Sequence, residues 1–490
     1  MKTLTLLLDE QLKPVFLRIA YGLRHAIQTG KLTANEPLPS ARKLAEQLGT
    51  NRHTIMAAYQ ELIAQGWVES IERKGYRVAQ SLPIEESNHS LSYRPLVEKA
   101  FNWDINTDIS ESSLDKPAHK YRYNFAGGSP DVSLFPFKDF KSYMNESLSR
   151  PNFDDLNYGN NAGNNNFIHQ VKTYLRRVRS ITDKEIIAVN GSQEAIYLIA
   201  RLLLKSGDKV AVESLGYQPA WNAFKTTGAD LVPIQQHDNG IDIKQLEKVF
   251  STTDIKLLYL TPLHQYPTTV TLPIHERMAI YQLATKYNVA ILEDDYDHEF
   301  HYDCQPLIPL AAEDPLGLVI YLSTFSKIMF PGGRIGFIAV DKALVPAIMR
   351  YRSVMNHKPN VLMQDAIGRW MQDGGFERHL RRMSKRYHQR RDHLIQLLNM
   401  YKAQGIALDY DLPAGGMSLW LDIKSHAHEL EQVCHENDIY LAAEHHFHLD
   451  PTKDENRYVR LGYAGLSSDA LTAGLHSLFT LLKEVQSRGY

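Results

Sequence analysis

Apolar positions Phe16, Ile19, Ala20, Leu23 and Ile27 recur at helical spacing, predicting an amphipathic first helix that Gly30 ends. Ser40 then stands as an N-cap before Ala41, Leu44, Ala45 and Leu48, which predict a short second helix. Gly49-Thr50-Asn51 reads as a tight turn, and a third helix starts at Arg52 and buries Ile55, Ala58, Tyr59, Leu62 and Ile63. Two helices joined by a short glycine-containing turn make a helix-turn-helix, whose second helix enters a DNA major groove. After Gly66, residues 67–71 and 76–79 read as two strands around Glu72-Arg73-Lys74-Gly75, a basic hairpin or wing. From about residue 119 the pattern changes. Short β-branched runs at 209–212, 256–260 and 289–292 alternate with amphipathic helices, which predicts an α/β fold with a largely parallel sheet. Between the two, residues 81–118 are rich in serine and acid, and Pro83, Pro95 and Pro117 interrupt any long helix. The expected organisation is a winged helix-turn-helix over 1–80, a linker over 81–118 and an α/β domain over 119–490.

Charge sharpens this division. The formal net charge is −2, yet residues 14–80 hold nine Lys/Arg against five Asp/Glu, leaving −6 on the rest. A basic head on an acidic body points to a nucleic-acid partner for the head alone. Asn51, Arg52, His53 and Thr54 at the start of the third helix, with Arg73 and Lys74 on the wing, suit phosphate and base-edge contacts. Cys304 and Cys434 give neither a disulfide framework nor metal-ligand spacing. No stretch approaches the ~18 apolar residues of a membrane span. A cytoplasmic protein with no metal site and no membrane partner is expected.

The chemistry converges on Lys327. It closes the apolar run 321–327, amid Ser323, Thr324 and Ser326, and precedes Pro331-Gly332-Gly333-Arg334. A lysine in a poorly solvated site can lose its proton and attack an aldehyde, while the hydroxyls and Arg334 hold a phosphate carried by that aldehyde. Pyridoxal 5'-phosphate is the candidate. Glu293-Asp294-Asp295 follows a strand, where α/β folds bind ligands, and a carboxylate there can keep a pyridine nitrogen protonated; Asp294 is the choice, with Tyr296 near the ring phenolate. Asn190-Gly191-Ser192-Gln193 opens a helix whose N-terminal amides suit an anion. Tyr217 can stack on a flat ring, His264 can stand near the ring oxygen, and Arg460 suits bidentate capture of a carboxylate.

Residues 38–49, with Arg52, Thr54 and Ala58-Tyr59, resemble the winged helix of GntR-type bacterial regulators, and residues 119–490 resemble a fold-type I aminotransferase domain. Together they resemble the MocR-type regulators. The resemblance implies that Ser40, Arg42, Arg52 and Gly75 lie at double-stranded operator DNA. It implies Lys327 as the Schiff-base lysine, phosphate contacts from Ser192, Thr324 and Arg334, and Gln193 as a further cofactor-binding residue. Asp294 would pair the pyridine nitrogen, Tyr296 and His264 would bound the ring oxygen, Tyr217 would stack, and Tyr158 would reach a partner subunit's cofactor in a homodimer. The chain departs from the pattern at Asn51, where serine is usual, and at the wing, which has one glycine instead of two. Pro219 stands where some members carry a second substrate-binding arginine. The implied function is a transcriptional regulator that senses pyridoxal phosphate, an amine or an amino acid through its aminotransferase-like domain. The alternative is a working aminotransferase carrying a regulatory head.

Overall fold

The computed structural model describes residues 14–72, 75–83, 121–157, 160–303, 307–357, 359–450, 452 and 456–488. The chain separates into two compact units, Met1–Asp104 and Ile105–Tyr490. The boundary falls within the expected linker, of which residues 84–118 lie outside the described residues.

In the first unit, α1 (Val15–Gln28), α2 (Ala41–Gln47) and α3 (Arg52–Ala64) precede an antiparallel hairpin of β1 (Val68–Ile71) and β2 (Gly75–Val78). The core is the predicted one: Ile19, Leu23, Leu44, Ile55, Ala58, Tyr59 and Leu62 are buried together, while Leu48 and Ile63 sit half-buried at its margin. The N-termini of α2 and α3 are each capped by a polar side chain. Ser40 Oγ accepts from the Lys43 N–H at 3.4 Å, and Asn51 Oδ1 accepts from the His53 N–H at 2.8 Å. Buried Tyr59 donates its hydroxyl to the Pro39 carbonyl at 2.7 Å, tying α3 to the approach to α2.

The second unit is built on a seven-stranded sheet. Its strands are β3 (Glu185–Val189), β4 (Lys209–Glu213), β5 (Asp230–Ile234), β6 (Ile255–Leu260), β7 (Ala290–Asp294), β8 (Val319–Thr324) and β9 (Gly336–Val340). The spatial order is β3-β9-β8-β7-β6-β4-β5, and only β9 runs antiparallel to its neighbours. The predicted strands therefore fall at β4, β6 and β7. Because apolar clusters cover both faces, these strands are buried almost throughout and show no alternation. Helix α4 (Ser192–Leu203) follows β3 directly. A smaller C-terminal lobe carries the long helix α5 (Gly375–Ala403), α6 (Ala427–Glu436) and α7 (Ser468–Arg488). They pack with a four-stranded sheet of β10 (Asp409–Tyr410), β11 (Ser418–Asp422), β12 (Ala442–Ala443) and β13 (Tyr458–Gly462), in the order β10-β11-β13-β12. Among the described residues, no helix is long and apolar enough to cross a membrane.

Candidate functional site

Parallel strands end on one edge of a sheet, and the loops and turns beyond those ends converge there. Tyr259 on β6, Thr261 after it, Asp294 at the end of β7, Lys327 in the turn after β8, Ser192 at the start of α4 and Tyr217 beyond β4 line one cavity. Gly127, Gly128, Tyr266, Tyr296 and Arg460 of β13 complete it.

Lys327 Nζ donates to the Gly128 carbonyl at 2.8 Å, and its burial and the nearby Arg460 guanidinium lower its pKa to about 8. Only the neutral amine is a nucleophile, so a lowered pKa raises the reactive fraction at neutral pH. Reaction of Lys327 with a small aldehyde is expected to accelerate as pH rises and to level off above about 8. A rate profile read by mass spectrometry of the Lys327 peptide checks this, and a midpoint above 10 contradicts it. Asp294 is also buried, and desolvation raises its carboxyl to about 7. Its Oδ2 accepts the Tyr259 hydroxyl at 2.9 Å, whereas its buried Oδ1 has no partner among the described residues. A buried carboxylate oxygen with no donor is costly unless a ligand supplies one.

Next to Ser192, which lines the cavity, Gly191 at φ +85° turns the chain from β3 into α4, and no side chain caps that helix. Arg334 adopts a left-handed φ of +48° and donates from Nη2 to the Asn190 carbonyl at 2.8 Å. A Cβ at position 191 would lie 3.0 Å from that nitrogen, so the guanidinium rests on the helix-opening glycine. Cationic guanidinium and helix N-terminus thus share one spot, a place for an anion. Thr324 Oγ1 accepts from the Ser326 N–H at 3.1 Å and meets Ser326 Oγ at 3.0 Å, so the two hydroxyls form one pair in the turn that bears Lys327. Gln193 is directed elsewhere: its Nε2 donates to the Pro219 carbonyl at 2.9 Å.

Arg460 is buried, with its guanidinium carbon 4.1 Å from the centre of the Tyr266 ring and its Nε without a hydrogen-bond partner. Its other side is closed by backbone: a Cβ on residue 127 would fall 2.5 Å from Arg460 Nη1. Gly127→Ala must therefore displace the guanidinium. The variant is expected to lose about tenfold, or ~1.4 kcal/mol, in affinity for a carboxylate-bearing amine while keeping its affinity for the amine without the carboxylate. Calorimetric titration of both ligands checks this; equal losses for both contradict it.

The structure places Tyr217 and Tyr296 on the cavity wall, where the Tyr296 hydroxyl donates to the His264 carbonyl at 3.0 Å and the Tyr217 ring meets Tyr266 edge-on at 5.3 Å. His264 is not among the lining residues. Its Nδ1 pairs with Asp297 Oδ1 at 2.7 Å, and its ring packs against Gly415, where a Cβ would lie 2.8 Å from Nε2. Tyr158 lies outside the described residues. Tyr259, Tyr266, Gly127 and Gly128 were not singled out from the sequence. Tyr259 lies inside the apolar run 256–260 and Tyr266 in the loop beyond it, and the two glycines contribute backbone alone.

In the first unit, Ser40, Arg42, Asn51 and Arg52 are exposed and Thr54 is half-exposed, gathered at the starts of α2 and α3. Gly75 opens β2 opposite Ile71 at φ +106°, a backbone conformation that disfavours other residues. Arg73 and Lys74 lie outside the described residues.

The donor set fits pyridoxal 5'-phosphate. Asp294 Oδ1 lacks the donor that a pyridinium N–H would supply, Arg334 and the α4 N-terminus make an anion seat, and Lys327 offers an amine of lowered pKa in the cavity. The aminotransferase class I and II family model matches residues 131–478, and that of the bacterial regulatory proteins of the gntR family matches residues 17–78. A probable rhizopine catabolism regulatory protein, MocR, of Rhizobium meliloti is 28% identical over 97% of this chain and 95% of its own length. The HTH-type transcriptional regulator TauR of Rhodobacter capsulatus is 24% identical over 95% of this chain and 96% of its own. Among solved structures, a Pyrococcus horikoshii kynurenine aminotransferase superposes with a TM-score of 0.69 at 26% identity, over 78% of this chain and 98% of that one. A multiple substrate aminotransferase of Thermococcus profundus does so with a TM-score of 0.70 at 25% identity, over 78% and 100%. The chain belongs to the aminotransferase class I and II family and carries a GntR-type DNA-binding head, the two-domain organisation of the MocR-type regulators.

Proposed function

We propose that this DNA-binding regulator uses its aminotransferase-like domain as a sensor, reading the state of bound pyridoxal 5'-phosphate and of an amine or amino acid that reacts with it. The observation that carries the reading is one chain holding both an operator-reading head and a site that retains Lys327, Asp294 and Arg460 in one cavity. Bound there, the cofactor supplies an aldehyde carbon and an electron-withdrawing pyridine ring. Lys327 would hold the aldehyde end, Asp294 the ring nitrogen, and Arg334, Ser192 and the Thr324–Ser326 pair the phosphate.

Arg460 stands free of a carboxylate partner among the described residues, which supports an effector bearing one carboxylate. Pro219 occupies the position of a second capture arginine and lends only its carbonyl to Gln193. The effector is therefore a monocarboxylate amino acid, a plain amine or the cofactor itself. The same complete set of groups favours a second reading, in which transamination also turns over.

The large unit is proposed to form a homodimer that presents two heads to paired half-sites, direct or inverted. Sedimentation of the cofactor-loaded protein at micromolar concentration tests the assembly. Absorbance titration of the loaded protein with candidate amines tests the sensor. A spectrum indifferent to every amine and amino acid tried would remove the effector, and fast multiple turnover would make the protein an enzyme first.

A further inference from the structure

Six histidines stand between residues 426 and 448, and three groups from this stretch meet. His428 and Glu431 lie three residues apart on α6, which puts both on one helix face. His445 comes from the short 3₁₀ turn Glu444–Phe447. One ligand atom from each of the three lies within 4.8 Å of the other two. Three observations make this more than a chance meeting of polar groups. His445 Nδ1 is buried without a hydrogen-bond partner among the described residues. Gln432 Nε2 donates to His428 Nε2 at 2.9 Å, so that nitrogen carries no proton, and an ion taking its lone pair displaces the Gln432 amide. Finally, Glu431 Oε1 is held by His446 Nε2 at 2.7 Å, leaving Oε2 facing His445 Nε2 at 3.6 Å.

We propose that His428, Glu431 and His445 form a binding site for a divalent transition metal of the zinc class, with water in the fourth position. Two imidazoles and one carboxylate are a donor set that zinc takes, and soft sulfur ligands are not needed. Ligand atoms around a tetrahedral ion stand roughly 3.3 Å apart, given bond lengths of about 2.0–2.1 Å, so the three side chains close on the ion by small rotations. His446 then acts as the outer partner that orients the Glu431 carboxylate. Cysteine spacing carries no sign of this site, because its ligands are histidine and carboxylate. The site also has an address in the fold. Two residues beyond His445, Phe447 packs edge-on against Tyr266 at 5.5 Å and accepts the Gly216 N–H at 2.9 Å, so the ion would brace the turn that backs the cofactor cavity.

The test uses the full-length chain without a histidine tag, loaded with pyridoxal 5'-phosphate, stripped with a chelator and titrated with zinc or cobalt(II). Metal retained after gel filtration is counted by elemental analysis. The expected result is about one ion per chain, with affinity reduced roughly tenfold or more in His428→Ala and in Glu431→Gln. His428 is exposed, so its truncation leaves the lobe's packing in place. His393→Ala, at a half-buried histidine on α5 that pairs with Thr472, should retain the ion. Failure of the wild type to hold stoichiometric metal, or equal retention in His428→Ala and wild type, overturns the proposal.

Discussion

Lys327→Ala is expected to abolish covalent retention of pyridoxal 5'-phosphate altogether. Lys327 is the lysine that lines the cavity, and its amine is the group there whose burial and guanidinium neighbour favour the neutral, nucleophilic form. Borohydride reduction of the loaded wild type should fix the cofactor's mass on the peptide containing Lys327, and the variant should carry none. The anion seat of Arg334 and the α4 N-terminus is untouched by the substitution, so the variant should still bind the cofactor reversibly. An adduct of wild-type stoichiometry on another lysine would contradict the assignment. A companion change, Asp294→Asn, removes the charge that faces a pyridinium at Oδ1 while keeping the shape. It is expected to shift the absorbance of the loaded protein without removing the covalent link.

The second large effect is on DNA. Arg42→Ala and Arg52→Ala should each weaken operator binding while leaving cofactor uptake unchanged. Both side chains are exposed at the starts of α2 and α3, beside the caps made by Ser40 and Asn51. A base-reading arginine is worth ~1–3 kcal/mol, so the dissociation constant should rise by roughly five- to 150-fold. If either arginine contacts phosphate instead, the loss should be similar on unrelated sequences and the salt slope should fall by about 1. Fluorescence anisotropy across a salt series separates the two cases. Unchanged affinity in both variants would place the DNA on another surface of the head.

Much of this arrangement is legible in the chain because the signals are local. The helices of the head follow from apolar spacing and from capping at Ser40, which the structure shows, while Asn51, which caps α3, reads in the sequence only as part of a turn. The order of the sheet is not legible that way. Strands buried on both faces carry no alternation, so nothing in 319–324 or 336–340 announces that β9 alone runs antiparallel between β3 and β8. The lysine, aspartate and arginine of the cavity, and Arg334 beside its helix turn, announce themselves as chemistry at strand ends. Tyr259 does not: it sits inside an apolar strand, and only the fold turns its hydroxyl toward Asp294. Gly127 is silent for a different reason. Its role is to lack a side chain next to Arg460, a contact that spans more than 300 positions of sequence. His264 shows the converse, a histidine read as a ring contact that the fold engages with Asp297.

Coupling requires that ligand bind unequally to two arrangements of the protein, since the cavity and the head belong to different compact units. The most direct test is operator affinity and footprint measured side by side for the stripped, cofactor-loaded and amine-loaded protein, in wild type and in Lys327→Ala. The sensor account predicts that wild-type affinity or footprint changes between these states and that Lys327→Ala stays locked in one of them. Identical binding and identical transcription in every state, in both proteins, would contradict it.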